Sequence, residues 1–198
     1  MTIPALIMVI FAYLIGSISF AVVVSKLMGL ADPHSYGSGN PGATNVLRSG
    51  SKTAAALTLL GDALKGWLAV FVAQLLKFPD EVIAAVAIAV LLGHFFPIFF
   101  KFKGGKGVAT ALGVLTALSW QVSLTCLGMW LVIAFGLKIS SLAALVAAII
   151  APFAAWYFME NKWYALLVAV IALMVLVRHK ANIQRLLNKQ ESKIGKGE

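Results

Sequence analysis

An all-α, multi-span membrane fold is predicted by three features of the sequence. Of 198 residues, 61% are hydrophobic and 12% charged, too little polar surface for a soluble globule of this size. Apolar runs of roughly 20 residues, the length a helix needs to cross a bilayer, recur along the chain. The cations behind the +9 formal charge stand at the ends of those runs. Headgroups and topology account for them, and a nucleic-acid partner is not expected.

Residues 3–25, 53–76, 82–100, 140–159 and 162–178 each qualify as a span. The first run lacks a basic n-region and a small-residue cleavage site, so it reads as a span and not as a signal peptide. The 31 residues from Gly107 to Leu137 carry no formal charge. As one straight helix they would extend about 46 Å, against a hydrocarbon core of about 30 Å.

Charge decides between one overlong span and two short helices. With a turn near Ser119-Trp120-Gln121, the total is seven spans. One side then collects thirteen cations: Lys26, Arg48, Lys52, Lys101, Lys103, Lys106, Lys138, Arg178, Lys180, Arg185, Lys189, Lys193 and Lys196. The other keeps two, Lys77 and Lys162, beside Asp80, Glu81 and Glu160. That asymmetry places the amino end outside and the carboxyl end in the cytoplasm. Residues 107–118 are too short to cross upright and read as a tilted or partial helix near a glycine-rich loop. Residues 1–198 are expected to form one integral-membrane domain, with 179–198 a basic cytoplasmic tail. The single cysteine, Cys126, excludes an internal disulfide and reads as a small buried thiol.

Three polar islands interrupt the apolar chain, and this topology puts all three on the cytoplasmic face. The first is Gly37-Ser38-Gly39-Asn40-Pro41-Gly42-Ala43-Thr44-Asn45, followed by Arg48. Its small residues fold tightly and aim N–H groups inward. Ser38, Thr44 and Asn45 add side-chain donors, and Arg48 a planar fork suited to phosphate. A plain turn with Arg48 reaching for headgroups is the bland alternative. The second is Lys101-Phe102-Lys103-Gly104-Gly105-Lys106-Gly107, leading into a helix whose N-terminus favours anions. Gly107 stands where a nucleotide-binding loop needs Ser or Thr after its lysine, so an anion site is expected but not a nucleotide triphosphatase. The third is Arg178-His179-Lys180-Ala181-Asn182-Ile183, with Arg185 behind. His179 and Asn182 are three apart, and a neutral imidazole can take a proton from an alcohol. A helix cap is the alternative role for His179.

Outside the islands, Asp62 and Lys65 lie three apart within a span and read as a paired brace holding the helix that follows the first island. Ser140 and Ser141 start the sixth span, where they either cap the helix or touch substrate. His94 reads as a residue that orients the second loop, and His34 as an exposed loop residue. No carboxylate occurs in the islands, which argues against a magnesium or zinc site and against a serine–histidine–aspartate triad. A metal-free, cofactor-free, cationic site at the bilayer edge suits a substrate with a phosphate head and a lipid tail. Acyl transfer onto a small phosphorylated alcohol fits these parts. A transporter or channel for a small phosphate-type anion is the competing reading, though neither an internal repeat nor further polar groups at depth support it.

The segments Gly37–Arg48, Lys101–Thr110 and His179–Ile183 resemble, in order and wording, the three motifs of the bacterial acyl-phosphate:glycerol-3-phosphate acyltransferases. The resemblance covers the whole chain in motif order, size and hydropathy. It implies a multi-pass inner-membrane enzyme with its active site on the cytoplasmic side. The implied reaction moves an acyl group from acyl phosphate to the 1-hydroxyl of glycerol 3-phosphate, giving lysophosphatidic acid and phosphate. It is the first acylation of phospholipid synthesis. Membrane lipid and the soluble enzyme that makes acyl phosphate are the implied partners. Carried over by position, Ser38, Thr44 and the second-loop glycines Gly104, Gly105 and Gly107 take the acyl phosphate, and Gly39, Asn40 and Asn45 are further substrate-binding positions. Arg48, Lys106, Ser140 or Ser141, His179 and Asn182 take glycerol 3-phosphate. Ser38, Lys106, His179 and Asn182 are the implied catalytic set, with the substrate's own phosphate an alternative proton acceptor to His179. Ala181 departs from the charged residue many members carry. Lys189-Gln190-Glu191 replaces a glycine-containing turn, which leaves Glu191 without an assigned role.

Overall fold

A computed structural model describes residues 2–194; Met1 and the tail residue Lys196 fall outside the described part. Among the described residues every regular element is helical. The chain divides into two compact units, residues 1–117 and 118–198.

The first unit holds α1 (Ile3–Gly16), α2 (Phe20–Leu27), α3 (Ala43–Leu47), α4 (Lys52–Leu75), α5 (Asp80–Phe95), a 3-10 turn (Ile98–Phe100) and most of α6 (Val108–Leu118). The run 3–25, expected as one span, is instead two helices bent by 47°. The break falls at Ser17–Ser19, where Ser17 Oγ donates to the Tyr13 carbonyl and competes with the helix ladder. α1 packs on α5, and α2 and α5 pack on α4. Small residues permit the approach: a Cβ at Gly16 would strike Val90 of α5, and one at Gly113 would strike Ala63 of α4.

The break in the first span leaves the Ile18 carbonyl without a helical partner. Lys65 supplies one, donating from Nζ to Ile18 O at 2.7 Å. The same Nζ lies 2.8 Å from Asp62 Oδ1 in an ion pair, with both side chains almost fully buried. The expected brace therefore exists, and what it holds is the bend between α1 and α2. Unpaired backbone is costly away from water, which gives this buried pair its role.

The second unit holds α7 (Trp120–Leu137), α8 (Ser140–Phe158), α9 (Lys162–Arg178) and α10 (Lys180–Leu187). α8 packs against both α7 and α9. The uncharged run 107–137 is two helices, separated at Ser119, whose Oγ accepts from Val122 N at 3.4 Å. Cys126 is buried. α10 turns 61° away from α9.

Among the described residues, four helices are long and apolar enough to cross a membrane, or up to six spans if each bent pair counts as one. α6, with 11 residues, is apolar but shorter than those four.

Candidate functional site

In the first unit the first island forms a closed loop around Asn45, which is 2% exposed. Its Oδ1 accepts from Ser38 N at 2.9 Å and Ser38 Oγ at 3.2 Å. Its Nδ2 donates to the Pro33 carbonyl at 2.8 Å and the Tyr36 carbonyl at 3.2 Å. The sequence suggests Asn45 as a donor to substrate, but its carboxamide is committed to holding the loop. Arg48 folds back over Gly37, where a Cβ would meet both its Cδ and Nη1. Gly37 also has φ of +54°, so it needs glycine's conformational freedom as well as its lack of a side chain. Thr44 is exposed, while Gly39 and Asn40 are half-buried.

The second island wraps onto the end of α5. Gly105 N donates to the His94 carbonyl at 3.1 Å. A Cβ at Gly104 would hit the His94 and Phe95 carbonyls, and one at Gly105 would hit the His94 ring and approach the Pro41 carbonyl. Part of the glycine requirement is thus close packing on α5 and on the first loop. His94 orients the second loop, as its position suggests. Its Nδ1 lies 3.2 Å from Thr110 Oγ1 on α6 and 3.6 Å from Asp62 Oδ1. Gly107 is buried and Lys106 half-buried, at the entry to α6.

The two loops meet. Pro41 of the first adjoins Gly105 of the second. His34, in the segment leading into the first loop, places Nε2 3.1 Å from the Lys103 carbonyl. Its Nδ1 and backbone N lie 2.8 and 2.9 Å from Asp32 Oδ1. The His34 backbone N–H, outweighing the opposing effect of burial, holds Asp32 below the usual carboxylate range. His34 is therefore a bridging residue and not the merely exposed loop residue its sequence context suggests.

In the second unit, His179 is both the C-cap of α9 and the N-cap of α10. It is buried, and Nδ1 lies 2.8 Å from the Val175 carbonyl. A carbonyl only accepts, so Nδ1 carries the proton, and in the neutral ring Nε2 is the proton-accepting nitrogen. Asn182 is buried one turn on and donates from Nδ2 to Glu191 Oε1 at 2.6 Å. Ser141 Oγ donates to the same oxygen at 2.7 Å, and Arg185 Nε donates to Oε2 at 2.7 Å.

A carboxylate thus does join the third island, from six residues beyond Arg185. Burial raises the pKa of Glu191, but the hydrogen bonds from Ser141, Arg185 and Asn182 outweigh it and hold the group below its ordinary value of 4.5. Of the two serines, Ser141 is buried in this cluster and Ser140 is half-buried at the first turn of α8. Neither caps α8, whose cap position is Ile139.

Residues 6–189 match the family model described as glycerol-3-phosphate acyltransferase. The chain belongs to the glycerol-3-phosphate acyltransferase family. It is 63% identical over 188 residues to the enzyme of Neisseria meningitidis serogroup C, covering 93% of this chain and 94% of that one. It is 57% identical over 184 residues to the enzyme of Dechloromonas aromatica, covering 93% of each. The fold is that of PlsY (YgiH), an integral membrane glycerol 3-phosphate acyltransferase. The TM-score is 0.91 and the identity 41%, with 97% of this chain and 96% of that one covered. PlsY crystal structures exist in a glycerol 3-phosphate form and a lysophosphatidic acid form. An integral-membrane acyltransferase family of phospholipid synthesis accounts for the apolar helices.

Two features of the site escape sequence reasoning. Glu191 lies 50 residues from Ser141, and the altered turn before it leaves its role unassigned in the sequence. His34 is 69 residues from Lys103. Only a signal tying Glu191 to Ser141 across that separation could have found the first.

Proposed function

We propose that this chain transfers an acyl group from acyl phosphate to the 1-hydroxyl of glycerol 3-phosphate, releasing lysophosphatidic acid and inorganic phosphate. The observation that carries the reading is the meeting, in one unit, of the two glycine loops that carry Arg48 and Lys106, through Pro41 on Gly105 and His34 on Lys103, in a chain of this family. Two phosphates are in play, one on each substrate, and the two loops supply cations and backbone donors for them. The hydroxyl oxygen attacks the acyl carbon, the carbon–oxygen bond to phosphate breaks, and phosphate leaves with the bonding pair. Backbone donors of the loops and Lys106 stabilise that leaving group and the developing oxyanion. His179 accepts the hydroxyl proton at Nε2, consistent with the tautomer that Val175 imposes. Asn182 and Ser141, held by Glu191, orient the alcohol substrate. An activated acyl donor needs positioning more than a covalent nucleophile.

The same reading gives the membrane arrangement: seven spans with α6 as the short one, amino end outside, and the islands on the cytoplasmic face of a bacterial inner membrane. Residues 1–198 act as one catalytic domain. The soluble enzyme that makes acyl phosphate docks at that face.

The direct test is phosphate release by purified protein in liposomes, with acyl phosphate or acyl-CoA as donor and no added metal. Release that requires both acyl phosphate and glycerol 3-phosphate is expected. Labelled phosphate uptake without any release would instead support a transporter. Cysteines at positions 52 and 189 should react with an impermeant reagent from the same side, and a cysteine at 160 from the other. Opposite reactivity of 52 and 189 would refute seven spans.

A further inference from the structure

We propose that His34 is a positioning residue that latches the two glycine loops together and so pre-assembles the phosphate cradle. The inference rests on reading those loops as the phosphate-binding elements. His34 belongs to the segment leading into the first loop, yet its Nε2 lies 3.1 Å from the carbonyl of Lys103, within the second. The carbonyl accepts, so Nε2 donates. Asp32 Oδ1 fixes the ring from the other side, 2.8 Å from Nδ1, and also accepts the His34 backbone N–H at 2.9 Å. The ring is thus oriented by its own loop and spends its outer nitrogen on the other.

The first loop is rigid by itself, since Asn45 satisfies its backbone from within. The second is seated on α5 through Gly105 N and the His94 carbonyl. The His34–Lys103 bond joins the two, beside the packing of Pro41 on Gly105. Losing that bond lowers the fraction of molecules whose loops are in binding register. Apparent affinity falls by that fraction, while the rate from the bound complex does not. A residue of this kind moves KM and leaves kcat.

Glutamine and asparagine separate the two ring nitrogens. In His34→Gln the side-chain amide reaches the place of Nε2 and keeps the donor to Lys103. In His34→Asn it reaches only the place of Nδ1 and loses that donor. The experiment compares the full-length protein with both variants in detergent. The readouts are KM for acyl phosphate, kcat, and hydrogen exchange of the segment 103–107. His34→Asn is expected to raise KM about fivefold to tenfold, the worth of one hydrogen bond. Its kcat should stay within about twofold, and exchange of the segment should quicken. His34→Gln should match the parent in all three.

Parental exchange in His34→Asn, or exchange in His34→Gln as fast as in His34→Asn, overturns the latch. If the parent shows no turnover with acyl phosphate, the functional reading fails, and the exchange comparison still decides the latch.

Discussion

Asn182 Nδ2 and Glu191 Oε1 stand 2.6 Å apart, and the same carboxylate oxygen takes the Ser141 hydroxyl. One carboxylate therefore sets the orientation of Asn182, from the third motif, and of Ser141, one of the two serines offered as a substrate contact, and its second oxygen takes Arg185. Glu191→Ala leaves three donors without their acceptor. The expected loss of stability is about 2–4 kcal/mol, since hydrogen bonds to a charged group are worth more than neutral ones. Thermal unfolding in detergent measures it. Glu191→Gln, which still offers Oε1 to Ser141 and Asn182, should lose less than half as much.

The same cluster sets an acid limit. The folded pKa of Glu191 lies below its unfolded value of 4.5. Its contribution is therefore fully present above that value and is lost as pH falls through the lower folded one. A plot of unfolding temperature against pH should show no slope from this group between pH 8 and about 5, and a decline below. Glu191→Gln should remove that part of the decline. An unchanged acid limb in the variant would locate the sensitivity elsewhere.

His179→Ala should lower kcat by about 10²–10⁴-fold, the usual worth of a general base. The lost bond to Val175 should cost only about 1 kcal/mol of stability. Lys106→Ala should lower kcat/KM by about 10²-fold or more, as removal of a charged oxyanion donor does. Steady-state kinetics on folded variants decides both. Near-parental kcat in His179→Ala would pass the base role to a phosphate of the substrate.

Lys65 neutralises Asp62 and caps Ile18 at once, so Lys65→Met should be severely destabilising, by about 3–5 kcal/mol. Adding Asp62→Leu removes the stranded carboxylate and should restore part of that loss, leaving the Ile18 carbonyl as the residual cost. A double-mutant cycle on thermal unfolding reads the coupling. Simple additivity of the two losses would remove the ion pair from the account.

Much of the architecture is legible along the chain, because a bilayer demands long apolar runs and confines polar chemistry to their ends. The break at Ser119 is legible for the same reason, since residues 107–137 are too long for one span. The bend at Ser17–Ser19 is not. The run around it is uncharged, mostly apolar and long enough for one helix, and what tolerates the break is Lys65, 47 residues away.

The candidate site divides along the same line. Arg48, Lys106, His179 and Asn182 announce themselves, because cations, glycines and an imidazole are conspicuous in an oily sequence. Residue type and spacing by themselves determined the fold class and the anionic chemistry. Tertiary structure alone decided how the polar groups spend their hydrogen bonds: Asn45 on its own loop, His34 on Lys103, Glu191 on Ser141 and Asn182. A buried donor takes whichever acceptor the packing brings within reach, and that choice is made in space, across 69 residues for His34 and 50 for Glu191.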